Sequence, residues 1–302
     1  MKRPNFFIVG APKCGTTALA EYLRGHPRAF VTQPKEPHYF CTDFSYYYAP
    51  GHESLEHYLA LYNDADDSHI AVGEGSVWYL YSHRAAEEIL EFDPEARFIV
   101  MVRNPLEMVP SLHSQMLYMR DETEESFPRA WTLQQERRIG RSIPSTCRVP
   151  EFLQYGAAAK TGSQVERLLR VVPRGQVKII VFDDFRADTG AVYAETLEFL
   201  GLPDDGRREF ETVNANKEHR TKLLARLTQR PPRSLITIAQ SVKRVTGIKR
   251  LGVLDRIRQT NRRAATRQSL GPELANELRA YFAEDVALLG RLLDRDLSHW
   301  LS

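Results

Sequence analysis

Short apolar runs recur along the chain, each followed by a longer stretch whose apolar residues return every three or four positions. The runs are FFIVG (6–10), AFVTQ (29–33), HIAVGEG (69–75), ARFIVMV (96–102) and QVKIIVF (176–182). Runs of this length, largely without polar alternation, predict strands buried on both faces, the condition of a parallel sheet covered by helices. The intervening periodicity predicts helices over residues 17–25, 82–90, 106–118, 124–138, 152–172 and 190–200, the last closed by Gly201 and Pro203 as a helix stop should be. Strands alternating with helices predict an α/β fold with a central parallel sheet flanked by helices.

After residue 203 the pattern changes. Residues 204–270 are basic, show no clear strand, and contain the breaker Arg230-Pro231-Pro232-Arg233. Leu235, Ile238, Ala239, Val242 and Val245 recur at helical spacing, which fits a basic amphipathic helix, either packed on the domain with its charges outward or lying on an anionic surface. A last helix is predicted over 272–293. The expected organisation is a core of residues 1–203 with a helical, basic C-terminal part, 204–302, packed on it as one domain.

Composition narrows the class. A chain of 302 residues with 42% hydrophobic and 26% charged residues is ordinary for a globular protein with a sizeable core. Net charge is only +2, so no overall attraction to nucleic acid follows. The three cysteines, Cys14, Cys41 and Cys147, form no C-x-x-C pair and no zinc-spaced cluster, which argues against a disulfide framework or a structural metal. The N-terminal apolar run is about five residues long, too short for a signal-peptide core or a membrane span, and the expectation is a cytoplasmic enzyme.

Candidate chemistry begins where the first strand stops, in GAPKCGTT. A strand that ends in a glycine-containing turn and feeds a helix offers backbone N–H groups and the helix dipole to an anion. Gly10 and Gly15 have the spacing of a nucleotide-triphosphatase phosphate loop, but Thr16 follows the second glycine, and the lysine, Lys13, sits inside the loop. Thr16 and Thr17 are placed to cap the helix and bond anionic oxygens. A triphosphatase also needs a magnesium-holding carboxylate at a strand end. RFIVMV ends instead in Arg103, the right charge for a second phosphate, with Ser111 eight residues further on in the following helix. A small-metabolite kinase is therefore the weaker alternative, as is a non-catalytic binder of anionic surfaces acting through the basic segment.

Taken together, VGAPKCGTTAL, VRNPLEMVPSLHSQ, KEPHYF (35–40) and QVKIIVFDDFRAD with ETLEFLGL resemble the sulfotransferases that use 3′-phosphoadenosine 5′-phosphosulfate (PAPS), with KEPHYF similar to a segment of the heparan-type glycan enzymes. The resemblance covers about residues 5–202 and implies a P-loop-like sulfotransferase fold. It implies a 5′-phosphosulfate loop of Lys13, Cys14, Gly15, Thr16 and Thr17, a 3′-phosphate site of Arg103 and Ser111, and 3′-phosphoadenosine 5′-phosphate (PAP) as product. Lys13 would neutralise the leaving oxygen and Glu36 would take the acceptor's proton. His38 bonds the acceptor, serves as an alternate base, or packs under Tyr39 and Phe40. Glu74 and Tyr79 lie where related proteins bind acceptor, and Lys217 and Arg220 are candidates for a basic loop closing on the 3′-phosphate. The acceptor class stays open among glycan, lipid and small-molecule metabolite hydroxyls.

Overall fold

The computed structural model describes residues 2–33, 35–44, 54–211 and 270–302 with their side chains, and 217–219 and 262–264 as backbone. In chain order the elements are β1 (Phe6–Gly10), α1 (Thr16–Arg24), β2 (Ala29–Val31), α2 (Leu55–Ala60), β3 (Ala71–Glu74), α3 (Ala85–Phe92), β4 (Arg97–Val102) and α4 (Pro105–Met119). There follow α5 (Phe127–Thr132), α6 (Gln134–Arg138), α7 (Tyr155–Ala159), α8 (Thr161–Val171), β5 (Val177–Val181), α9 (Phe182–Ala187), α10 (Thr189–Leu200), β6 (Lys217–His219), β7 (Arg262–Ala264) and α11 (Pro272–Leu293).

The five apolar runs form one sheet in the order β2-β3-β1-β4-β5, with every neighbouring pair parallel. All five residues of β1 are buried, as are the last five of β4, so the core lies on both faces of the sheet's centre. Parallel strands bring all their C-terminal ends to one edge. The connection leaving β1 runs towards β2 on one side, whereas the connection leaving β4 runs towards β5 on the other. That divergence opens a crevice between the ends of β1 and β4, where ligands of such sheets bind.

Three stretches depart from the sequence pattern. Residues 124–138 are two short helices, because Pro128 fits only the first turn of a helix and α5 starts beside it. Residues 152–172 break at Lys160, and α8 starts anew because Asp285 of α11 accepts hydrogen bonds from the N–H groups of Gly162 (2.8 Å) and Ser163 (2.9 Å). Within 204–270, where no strand was expected, β6 and β7 pair antiparallel. The segment 235–245 lies outside the described residues. Helix α11 takes the predicted span and packs against α8 and α4. Among the described residues no helix is long and apolar enough to cross a membrane.

The β1–β3 contact that sets the site's floor depends on Gly73, opposite Phe6 in the ladder; a methyl group added there would stand 2.3 Å from the Phe6 carbonyl oxygen. Gly73→Ala is expected to destabilise the protein by about 1–3 kcal/mol, as overpacking against backbone does. Gly175→Ala, where nothing lies within 4 Å of the added carbon, is expected to leave the urea midpoint unchanged. Equal midpoints for the two variants would refute this packing account.

Candidate active site

The loop between β1 and α1 is held at both ends. The Ala11 N–H donates to the Met101 carbonyl of β4 at 2.7 Å. Gly15 caps α1 at φ 91°, a left-handed conformation that favours glycine, with the Phe182 ring 3.0 Å from where a side chain would begin. Lys13 is also left-handed, at φ 66°. The first turn of α1 has no intrahelical carbonyls for its N–H groups, and Thr16 and Thr17 stand in that turn. Cys14 turns away into the core: it is fully buried, its thiol donates to the Pro12 carbonyl at 3.5 Å, and burial pushes its pKa up to about 12 despite the nearby Arg103 and Lys13. Cys14 thus contributes backbone to the loop and no nucleophile.

Arg103 follows β4 directly and is 8% exposed. Its Nη1 donates to the Lys13 carbonyl at 3.2 Å, its Nε donates to Glu107 at 3.0 Å with Nη2 on the same carboxylate oxygen, and its guanidinium lies 4.5 Å from the Phe182 ring centroid. Asn104 caps α4 by accepting from the Leu106 N–H, and Pro105 occupies the first turn, so the helix starts where it turns Ser111 inwards. Ser111 is 1% exposed, and its hydroxyl has no hydrogen-bond partner among the described residues. A buried hydroxyl without a partner costs free energy unless a ligand completes it.

The third component is the loop after β2. Glu36 and His38 both adopt left-handed backbone, at φ 71° and 53°. The Glu36 carboxylate accepts from Lys35 Nζ at 2.7 Å and lies 3.4 Å from His38 Nε2. Burial alone would raise its pKa, but the Lys35 ammonium and the His38 ring outweigh that and hold it at about 2. Burial lowers the His38 pKa against the pull of Glu36, so the ring is neutral near pH 7.

These pieces meet in one cleft of ≈ 330 Å³. Lys13, Gly15, Thr16, Thr17, Glu36, Arg103 and Ser111 all line it. His38 is buried behind Glu36 and does not line the cleft. Glu74 and Tyr79 are buried one layer back and do not line it either. Burial pushes the Glu74 carboxyl up to about 7, although hydroxyls of Ser76, Tyr58 and Tyr79 bond it. Lys217 is described only as backbone of β6, and Arg220 lies outside the described residues.

One wall of the cleft was not read from the sequence. Tyr22, Phe182, Phe185 and Phe210 form an aromatic side, with Gln115, Arg186 and Thr189 beside it. Phe182 and Phe185 stand three residues apart on α9, directly after β5, and that spacing at a cleft-facing strand end was the available signal. Phe210 arrives because the segment after α10 folds back on α1, where its ring centroid lies 4.6 Å from that of Tyr22.

A family model described as "Sulfotransferase domain" matches residues 3–288. Heparan sulfate glucosamine 3-O-sulfotransferase 3A1 of Mus musculus is 29% identical over 199 residues, 66% of this chain and 46% of that protein. Membrane-associated sulfotransferase kil1 of Dictyostelium discoideum is 31% identical over 104 residues, 34% of this chain and 21% of that one. The chain thus spans less than half the length of these curated relatives. Among solved structures, a sulfotransferase from Alicyclobacillus acidocaldarius is 27% identical, with a TM-score of 0.72 over 100% of both chains. With the parallel sheet, the strand-end loop and a match across nearly its whole length, the chain belongs to the sulfotransferase family.

Proposed function

We propose that the protein moves a sulfuryl group from PAPS to an acceptor hydroxyl, with the nucleotide gripped at two strand ends and PAP released. The observation that carries this reading is the single cleft shared by Lys13, Arg103, Glu36 and the unpartnered Ser111 hydroxyl. Two cationic side chains at the ends of adjacent strands fit a nucleotide with two separate phosphates, and Ser111 supplies a donor that no group among the described residues uses. The aromatic wall of Phe182, Phe185, Phe210 and Tyr22 fits the purine ring that the ribose carries beside its two phosphates.

When bound, PAPS supplies an activated sulfuryl group and a phosphate leaving group. Lys13 and the amides at the start of α1 hold the charge that collects on the leaving oxygen, the preorganised electrostatics that phosphoryl-transfer sites also use. Arg103 and Ser111 hold the 3′-phosphate and fix register along the cleft. Glu36 faces the same space, ionised and 31% exposed in its side chain, and takes the acceptor's proton. Lys35 and His38 orient its two oxygens separately. The kinase alternative finds no support at the ends of the strands beside the loop: β4 is followed directly by Arg103, and Glu74, which ends β3, is turned into a cage of hydroxyls. KEPHYF, together with a relative named for heparan sulfate glucosamine, favours a glycan hydroxyl as acceptor over lipid or small-metabolite hydroxyls.

Calorimetry with PAP tests the two-ended grip. Ser111→Ala is expected to weaken binding by about 1–2 kcal/mol without lowering stability, since no group among the described residues bonds that hydroxyl. Arg103→Ala is expected to lose about 1–3 kcal/mol of PAP affinity. Unchanged PAP affinity in both would overturn the 3′-phosphate assignment, and no detectable heat in the wild type would overturn the reading as a whole. Turnover of labelled PAPS tests the chemistry. Lys13→Ala is expected to lower it by roughly a hundredfold or more, the scale of losing a preorganised charge at the reacting centre. In Glu36→Gln turnover should be lost with PAP binding intact; retained turnover would move the base elsewhere.

A further inference from the structure

Glu74 is fully buried at the end of β3, and among the described residues three hydroxyls bond its carboxylate. Tyr58 Oη donates to Oε1 at 2.7 Å, Tyr79 Oη donates to the same oxygen at 3.0 Å, and Ser76 Oγ donates to Oε2. A hydroxyl has one proton. Once Ser76 and Tyr79 commit theirs to the carboxylate, each can only accept from any other polar neighbour. Both face the loop after β2: Ser76 Oγ accepts the His38 N–H at 3.0 Å, and Tyr79 Oη accepts the Phe40 N–H at 3.3 Å. These two bonds hold the turn 38–41, closed by the Cys41 N–H on the His38 carbonyl at 3.1 Å, in a loop where His38 and the nearby Glu36 are left-handed without being glycine. Such backbone persists only where its surroundings over-determine it. Tyr39 stacks on Tyr58 at 4.4 Å between centroids, so the same cage also supports the loop from its apolar side.

We propose that Glu74 is a positioning residue for sulfuryl transfer: by fixing the proton direction of the Ser76 and Tyr79 hydroxyls, it makes both of them acceptors for the loop that aims Glu36 at the cleft. This rests on the reading of Glu36 as base. Protonating Glu74 adds a donor to a cage already full of donors, so one hydroxyl must accept from it and turn its own proton away from the carboxyl, which frees that proton to oppose the loop N–H on the same oxygen. The groups facing Glu74 are Tyr58 with Tyr62 behind it, Ser76 and Tyr79 beyond β3, and Lys35 and Cys41 of the loop. Of these, Lys35 carries the positive charge that favours the ionised form, and it opposes burial. Because the Glu74 carboxyl sits at about 7 and that of Glu36 at about 2, an acid limb of turnover near pH 7 reports Glu74.

The test compares wild type with Glu74→Gln, Ser76→Ala and Glu36→Gln. It reads amide hydrogen exchange across residues 35–41, cleavage of labelled PAPS with water as acceptor, PAP affinity, and melting temperature. A glutamine at 74 keeps the shape but must donate to one hydroxyl, reversing the direction of the relay. Glu74→Gln is expected to speed exchange of the His38 and Phe40 amides about tenfold and slow PAPS cleavage at least tenfold. Its rate should be flat between pH 6 and 8, its PAP affinity should stay within twofold, and its melting temperature should not fall, since a costly buried charge is gone. Ser76→Ala should reproduce the faster His38 exchange and the slower cleavage while leaving Phe40 protected. Wild-type exchange and cleavage rates in Glu74→Gln, with Glu36→Gln inactive, overturn the positioning role alone. An active Glu36→Gln overturns the base assignment on which it stands.

Discussion

The site hangs on one guanidinium. Arg103 reaches from the end of β4 to the Lys13 carbonyl at 3.2 Å and so ties together the two loops that diverge at the sheet's switch point. Only a planar fork with several donors can do this while also pairing with Glu107 and lying over Phe182. A lysine there would offer a point charge and no plane. Glu107 also makes the burial of Arg103 tolerable, because a nearly buried cation without a partner would be strongly destabilising. The side chain read as a phosphate ligand is therefore preorganised by the protein before any nucleotide arrives.

Lys13, Glu36 and His38 share a left-handed backbone that non-glycine residues seldom adopt. Two are held by partners distant in sequence, the Lys13 carbonyl by Arg103 and the His38 N–H by Ser76, whereas the Glu36 carboxylate is held by its near neighbours Lys35 and His38. Local strain of this kind aims side chains in directions that a relaxed turn would not. Its cost is borne by the β1–β3–β4 platform, whose strands are almost entirely buried.

How much of this could be read from the sequence follows from where each determinant lies. FFIVG and RFIVMV were legible as strands because burial on both faces leaves an unbroken apolar run, and Arg103 stood out as a charge directly after one. The loop was legible because its glycines, lysine and threonines are contiguous. The start of α8 was not, since its cap, Asp285, comes from a helix more than a hundred residues later. The surroundings of Glu74 and Tyr79 were not legible for the same reason: their partners arrive from the loop after β2 and from α2, and only the fold shows that the pair faces that loop. Phe210 joins the aromatic wall through a chain reversal that no periodicity encodes.

Glu36 and Glu74 are the same residue type driven in opposite directions, one to about 2 by a lysine and a histidine, the other to about 7 by burial. The pairing constrains the chemistry. A carboxylate as weakly basic as Glu36 gains nothing by pulling a proton from a free alcohol, so positioning has to supply what basicity does not. Proton transfer becomes favourable only after the acceptor oxygen has begun to bond sulfur and turned acidic. Glu36 as base therefore requires a late proton, moving behind the forming S–O bond while Lys13 holds the charge on the departing oxygen. Such a sequence tolerates little error in where the carboxylate points, and a loop pinned through fixed hydroxyl protons is the kind of support it calls for.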